Sequence, residues 1–190
     1  MSNKSVILCG VGGQGAILTA KILVNGLISA GYDVKMSEVH GMSQRGGSVS
    51  TQVHFGDKVY SPVIGKGAAD IMVAFEKMEA VRYSEFLKPD GVAVINDYAM
   101  ESSTTAAGLA EYPAGCLEAM KEHFKCFSLD AAEIADQVGN RKCANVVLFG
   151  AMTKVLNMDD IDWESVIRET VPEKFIALNL EAYKAGRAAI

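Results

Sequence analysis

Glycines near the amino terminus have the spacing of a dinucleotide-binding turn. The segment Gly10–Gly15 has the sequence GVGGQG, which matches the pattern G-x-G-x-x-G. It follows a short apolar run and precedes a segment with helical periodicity, so the amides at a helix N-terminus would favour an anion. Glu38 lies 23 residues after Gly15, at the place of a ribose-binding acid. Glycines that only allow a tight turn and close packing of the helix on the sheet remain the alternative.

A second glycine-bearing loop occupies His40–Ser48 and contains the guanidinium of Arg45. Flexible backbone amides beside a guanidinium suit a phosphate or a carboxylate. This loop and GVGGQG each leave the carboxyl end of a predicted parallel strand, so both should meet at one edge of the sheet. The predicted cofactor-binding residues of this shared crevice are Gly12, Gly13, Gln14, Gly15, Ser43, Gln44 and Arg45. An ordinary loop with an exposed arginine would give the same pattern.

Strand-like and helix-like segments alternate along most of the chain. A buried strand at Ser5–Cys9, a helix at 16–30 and a strand at 33–39 predict a β-α-β unit. Ser48–Phe55 then has period-two alternation, and with a return strand at Val59–Tyr60 it predicts a hairpin. Further strands and helices follow, up to a helical C-terminus. We therefore predict a single α/β domain over residues 1–190, with a largely parallel Rossmann-like sheet, helices on both faces and an inserted β-hairpin.

Other side chains that could take part in catalysis or metal binding show weaker patterns. Glu76 and Glu79 lie one helical turn apart with Lys77 and Arg82 nearby, which predicts a solvated, salt-bridged face. The histidines lack the spacing of metal ligands, and no pair of the four cysteines has C-x-x-C spacing. We therefore predict no catalytic residue, no metal site and no iron–sulfur cluster in this chain.

Composition excludes several classes of protein. The net charge of −5 argues against a nucleic-acid-binding protein, which would need a basic face. No apolar run reaches the length of a membrane span, and the first residues do not resemble a signal peptide, so we expect a cytoplasmic location. Hydrophobic residues make up 49% of the chain, enough for a core and for apolar surface that a partner could cover.

Five segments in fixed order resemble one known family. They are Gly10–Gly15, Ser37–Val49 (SEVHGMSQRGGSV), Tyr60–Ile64 (YSPVI), Phe75–Ala80 (FEKMEA) and Asn145–Gly150 (NVVLFG). The chain resembles the gamma-type subunit or domain of the 2-oxoacid:ferredoxin oxidoreductases over nearly its whole length, and most closely the small (beta) subunit of the indolepyruvate enzymes.

The resemblance implies a role in the oxidative decarboxylation of indolepyruvate or a related 2-oxoacid to an acyl-CoA and CO₂, with electrons passing to ferredoxin. It also implies that thiamine diphosphate, Mg²⁺ and [4Fe–4S] clusters reside on a larger partner subunit, because this chain lacks the segments that hold them. Ferredoxin and coenzyme A would then be met through the complex, and the isolated chain could form a homodimer. The alternative is a stand-alone Rossmann-like protein that binds NAD(P) or FAD.

Overall fold

The strands of this computed structural model form one sheet, and the model describes residues 3–40, 46–101, 105 and 107–190. Within those residues the sheet has six strands in the order β2-β3-β1-β4-β5-β6. The strands are β1 (Lys4–Val11), β2 (Asp33–His40), β3 (Ser48–Gly56), β4 (Ala69–Ala74), β5 (Leu87–Asn96) and β6 (Lys125–Leu129).

Helices connect the strands and form the C-terminal part of the chain. In the described residues the α-helices are α1 (Ala16–Ser29), α2 (Lys77–Arg82), α3 (Cys116–His123), α4 (Ala131–Val138), α5 (Ala144–Leu156), α6 (Trp163–Thr170) and α7 (Ile176–Ala188). None of these described helices combines the length and the apolar character of a membrane span.

Strand β3 runs against the direction of the rest of the sheet. It pairs antiparallel with β1 on one side and with β2 on the other, whereas β1, β4, β5 and β6 pair in parallel. The predicted antiparallel insertion is therefore confirmed, but the predicted return strand at Val59–Tyr60 is wrong. Both edges of β3 are already occupied, so no edge remains for a third partner. The chain after Gly56 instead crosses the sheet, where the Ile64 amide donates to Gln52 Oε1 at 2.7 Å.

Side chains that alternate along the strands build two cores, one on each face. On the first face, Val6 and Leu8 of β1 pack with α1 and with the C-terminal helices. On the second face, Ile7 and Cys9 pack with the smaller layer that contains α2 and α3. A strand buried on both faces explains why β1 is apolar at every position from Val6 to Cys9. The prediction of helices on both faces is confirmed.

Two glycines allow the backbones of α5 and α7 to touch. A Cβ atom on Gly186 would lie 1.9 Å from the carbonyl oxygen of Val147, and one on Gly150 would lie 2.1 Å from that of Tyr183. Both distances are far inside van der Waals contact. The α5–α7 crossing therefore requires glycine on each helix, and it holds the C-terminal layer in place against the sheet.

Candidate functional site

The two glycine loops contact each other through their backbones. The Gly12 amide donates to the carbonyl oxygen of Gly47 at 2.8 Å, and the Gly46 amide donates to that of Gly12 at 3.3 Å. These bonds extend the β1–β3 ladder beyond Val11 and Ser48, the last paired residues of the two strands. The predicted meeting of both loops at one sheet edge is thus found in the structure.

The Gln14 side chain holds the first loop closed. Its Oε1 accepts from the Val11 amide at 2.7 Å, and its Nε2 donates to the Phe75 carbonyl at 3.1 Å. Gln14 therefore ties the end of β1 to the residue that follows β4. Both ends of its amide group already form hydrogen bonds within the protein. We therefore infer that this side chain stabilises the conformation of the loop. Ligand contact from this loop would come from the backbone of its glycines.

Asn96 extends this link to the next strand of the sheet. No sequence motif indicated this residue. Its Nδ2 donates to the same Phe75 carbonyl at 3.1 Å, and its Oδ1 accepts from the Ala131 amide at 3.0 Å. Two side-chain amides thus connect the carboxyl ends of β1, β4 and β5 to the start of α4. The signal in the sequence was a polar residue directly after the apolar run Val92–Ile95.

A crevice of about 570 Å³ lies between the first loop and the start of α5. Gly15 requires its glycine there, since its φ is +87° and a Cβ would lie 2.8 Å from Asn145 Nδ2. The first-turn amides of α1 have no partner within their own helix. Lys142, Arg141 and the exposed ring of Phe175 also line the crevice, and Arg141 is paired with Asp136 at 2.8 Å. The size and this lining suit an anionic organic ligand.

A second cavity of about 440 Å³ lies on the other side of the first loop, beside Glu38 and Val39. Glu38 lines this cavity, but β3 separates its strand from β1. In a dinucleotide-binding fold the second strand is the direct neighbour of the first. Two strand spacings, about 10 Å, lie between β1 and β2 here. This geometry does not favour the predicted ribose-binding role of Glu38.

Another groove, of about 860 Å³, contains none of the predicted site residues. It lies between α6 and α7, and two of its cations are paired with carboxylates: Arg187 with Asp159 and Lys184 with Glu164. We therefore place the candidate site at the glycine loops and not in this groove.

The prediction of a solvated face at Glu76 and Glu79 is wrong. The exposed fraction of their side chains is 0% and 2%. Glu76 caps α2 by accepting from the Glu79 amide at 2.9 Å, and it also accepts from the Tyr112 hydroxyl and from the Met100 amide. Since α2 is only six residues long and lies directly on the second core, its first turn is buried with it.

Burial, together with two neighbouring carboxylates, makes the Cys9 thiol hard to ionise. Burial raises the pKa of Cys9 well above its ordinary value of 9.0, and Glu79 and Glu76 raise this pKa further. The stability that the protonated thiol contributes is full below about pH 9 and decreases above it, because the unfolded chain loses its proton first. We expect the free energy of unfolding to fall by about 1 kcal/mol per pH unit above pH 9. Denaturation of the wild type and of Cys9→Ala at several pH values checks this, and parallel profiles would contradict it.

Three of the predicted site residues, Ser43, Gln44 and Arg45, lie outside the described residues. Their roles stay predictions. The described neighbours, Gly46 and Gly47, place the end of their loop directly on Gly12.

A family model described as pyruvate ferredoxin/flavodoxin oxidoreductase matches residues 5–189. The chain belongs to this oxidoreductase family. The predicted resemblance and the predicted function as a subunit of a 2-oxoacid:ferredoxin oxidoreductase are confirmed. The alternative of a stand-alone NAD(P)- or FAD-binding protein receives no support.

Relatives in this oxidoreductase family are similar over nearly the full chain. Indolepyruvate oxidoreductase subunit IorB of Pyrococcus horikoshii is 39% identical, with 98% of this chain and 95% of the relative covered. The same subunit of Thermococcus kodakarensis is 38% identical with equal coverage. A keto/oxoacid ferredoxin oxidoreductase gamma subunit from Geobacter sulfurreducens has the same fold, with a TM-score of 0.72, 24% identity and coverage of 98% and 97%.

A larger structure contains the same fold as one part. It is the 2-oxoglutarate:ferredoxin oxidoreductase from Magnetococcus marinus, with 2-oxoglutarate, coenzyme A and succinyl-CoA bound. All of this chain aligns to 31% of that chain, with a TM-score of 0.76 and 19% identity. The fold therefore occurs both as a separate subunit and as a segment of a longer oxidoreductase chain.

Proposed function

We propose that this chain is the small subunit of an oxidoreductase that decarboxylates indolepyruvate or a related aryl 2-oxoacid to an acyl-CoA. The observation that carries the proposal is the full-length similarity to subunits named for indolepyruvate. A full-length match to a separate subunit also supports a larger partner subunit. In this proposal the complex forms in the cytoplasm, and ferredoxin and coenzyme A are met through it.

The cofactors of the reaction belong, in this proposal, to the partner subunit. Among the described residues, no group of three or more potential metal ligands comes together. The four cysteines are free, and Cys9, Cys116 and Cys143 are buried at separate places. This chain therefore does not offer the thiolate set that a [4Fe–4S] cluster needs. The partner would supply the electron-transfer and carbanion chemistry through thiamine diphosphate and its clusters.

The glycine loops form this chain's part of the active site in our proposal. Gly13 and Gly15, at the start of α1, line the crevice together with Lys142. Such a lining would bind a phosphate or carboxylate without contributing a proton or an electron. Gly13, Gly15, Ser43, Gln44 and Arg45 would thus face the cofactor-bearing subunit and bind coenzyme A or the substrate carboxylate, while the predicted site residue Gly12 joins the two loops through its backbone.

Replacement of Arg45 by alanine tests that role. We expect a loss of about 10- to 100-fold in kcat/KM of the assembled complex, because a guanidinium–anion contact is removed. The yield of complex and the melting temperature of the small subunit should not change. Arg168→Ala, a change in the groove between α6 and α7 that contains none of the predicted site residues, is the matched control. If Arg45→Ala kept wild-type kinetics, the assignment of Arg45 to the active site would be wrong.

The substrate class is tested with the complex purified through a tag on this chain. Reduction of an artificial electron acceptor is measured with indolepyruvate, phenylpyruvate, pyruvate, 2-oxoglutarate and 3-methyl-2-oxobutanoate, each with and without coenzyme A. We expect the highest kcat/KM for the aryl substrates and no turnover without coenzyme A. A clear preference for an aliphatic 2-oxoacid would refute the indolepyruvate assignment while leaving the family unchanged.

A further inference from the structure

A buried carboxylate contacts the residue at which the second glycine loop enters β3. Ser48 begins that strand, and its hydroxyl donates to Glu79 Oε2. The Tyr83 hydroxyl lies 3.3 Å from Ser48 Oγ, and Arg82 Nε donates to the other oxygen of Glu79 at 3.0 Å. Since Glu79 is almost fully buried, this contact is shielded from water and hardly screened.

The same junction carries the backbone bonds between the two loops. Gly47, next to Ser48, accepts from the Gly12 amide, and Gly46 donates back to Gly12. A movement of Ser48 would therefore move both loops relative to each other. Glu79 is itself fixed, because its amide is bonded to the Glu76 carboxylate within the second core. The Ser48 hydroxyl thus links α2 to the loop junction, in addition to the backbone pairing of Ser48 with Val11.

We propose that Glu79 is a positioning residue that fixes the junction of the two glycine loops through the Ser48 hydroxyl. Burying a carboxylate is costly unless its oxygens are bonded, and this one is bonded to the loop junction on one oxygen and to Arg82 on the other. The inference rests on the proposed function only where it concerns catalysis. The mechanical link between Glu79, Ser48 and Gly12 stands without it.

Amide hydrogen exchange of the full chain tests the link directly. In Ser48→Ala and in Glu79→Gln, we expect the Gly12 amide to exchange about tenfold faster, the factor for loss of one hydrogen bond to a charged group. Amides of β4 and β5 should keep wild-type rates. Ser48→Thr retains the hydroxyl on a residue that suits a strand and should restore slow exchange. Glu85→Gln, an exposed carboxylate paired with Lys66, is the matched control.

Kinetics of the assembled complex provide a second test of the proposal. We expect Ser48→Ala and Glu79→Gln to raise the KM of coenzyme A or of the 2-oxoacid by about tenfold with kcat nearly kept, and the double variant to be no worse than either. Unchanged Gly12 exchange in both variants would overturn the inference. Faster exchange with wild-type kinetics would instead refute the placement of the loops in the active site, which belongs to the proposed function.

Discussion

Replacing Gly186 by alanine should lower the free energy of unfolding by about 3 kcal/mol, the upper range for an overpacked core. The added Cβ would lie 1.9 Å from the Val147 carbonyl oxygen, and a backbone atom cannot turn aside as a flexible side chain can. Helices α5 and α7 would have to separate, which would also disturb the packing of α5 on β4 and β5. Chemical denaturation of the full-length chain, followed by circular dichroism, measures the effect.

The matched control for this change is Gly65→Ala. A Cβ at Gly65 would have no heavy atom within 4 Å, and the glycine does not have a left-handed backbone. We expect a change of about 0.5 kcal/mol or less, with stabilisation possible through the less flexible unfolded chain. If both substitutions changed the free energy of unfolding equally, the backbones of α5 and α7 would not be in contact at Gly186.

Replacing Glu76 by alanine should lower the free energy of unfolding by about 3 kcal/mol, because one buried donor and two partly buried donors lose their acceptor at once. These donors are the Glu79 amide, the Met100 amide and the Tyr112 hydroxyl. Burial, with the bond to Glu76, raises the pKa of Tyr112, in accord with a phenol that stays protonated and donates. The denaturation midpoint of the full-length variant is the measurement.

Two further variants separate the contributions at this site. Tyr112→Phe removes only one donor and should cost about 1 kcal/mol. Glu111→Ala changes an exposed carboxylate one residue away and should be nearly neutral. If Glu76→Ala left the free energy of unfolding unchanged, the role of this carboxylate as the cap of α2 and the acceptor for Met100 and Tyr112 would be wrong.

The parallel part of the fold could be predicted because β1 and β4 are buried on both faces. Continuous apolar runs such as Val6–Cys9 and Ile71–Phe75 leave few other interpretations in a chain of this length. The pairing of β3 was harder, since period-two alternation shows which face is apolar but not which strand lies alongside. The return strand was predicted from local turn chemistry, and the long-range pairing of β3 with β1 and β2 excluded it.

The place of the candidate site could be predicted from the sequence, but the contacts and the burial of its residues could not be predicted. Parallel strands bring both glycine loops to one edge, which the spacing already implied. Gln14 looked like a ligand contact, and yet its amide closes the loop on Phe75. Glu76 and Glu79 looked solvated because sequence periodicity over a six-residue helix does not indicate which turn faces the core. Burial of charge depends on tertiary partners such as Tyr112, 36 residues away.

We propose that this chain is a subunit of a 2-oxoacid oxidoreductase whose cofactors reside on a larger partner subunit. Affinity purification through a tag on this chain, followed by native mass spectrometry with iron and thiamine analysis, tests it most directly. We expect a stoichiometric complex with a larger chain, with iron and thiamine diphosphate in the complex and neither in the separated small subunit. If the chain purifies alone from its native host, or itself retains iron or thiamine diphosphate after separation, the proposed division of roles between the subunits is wrong.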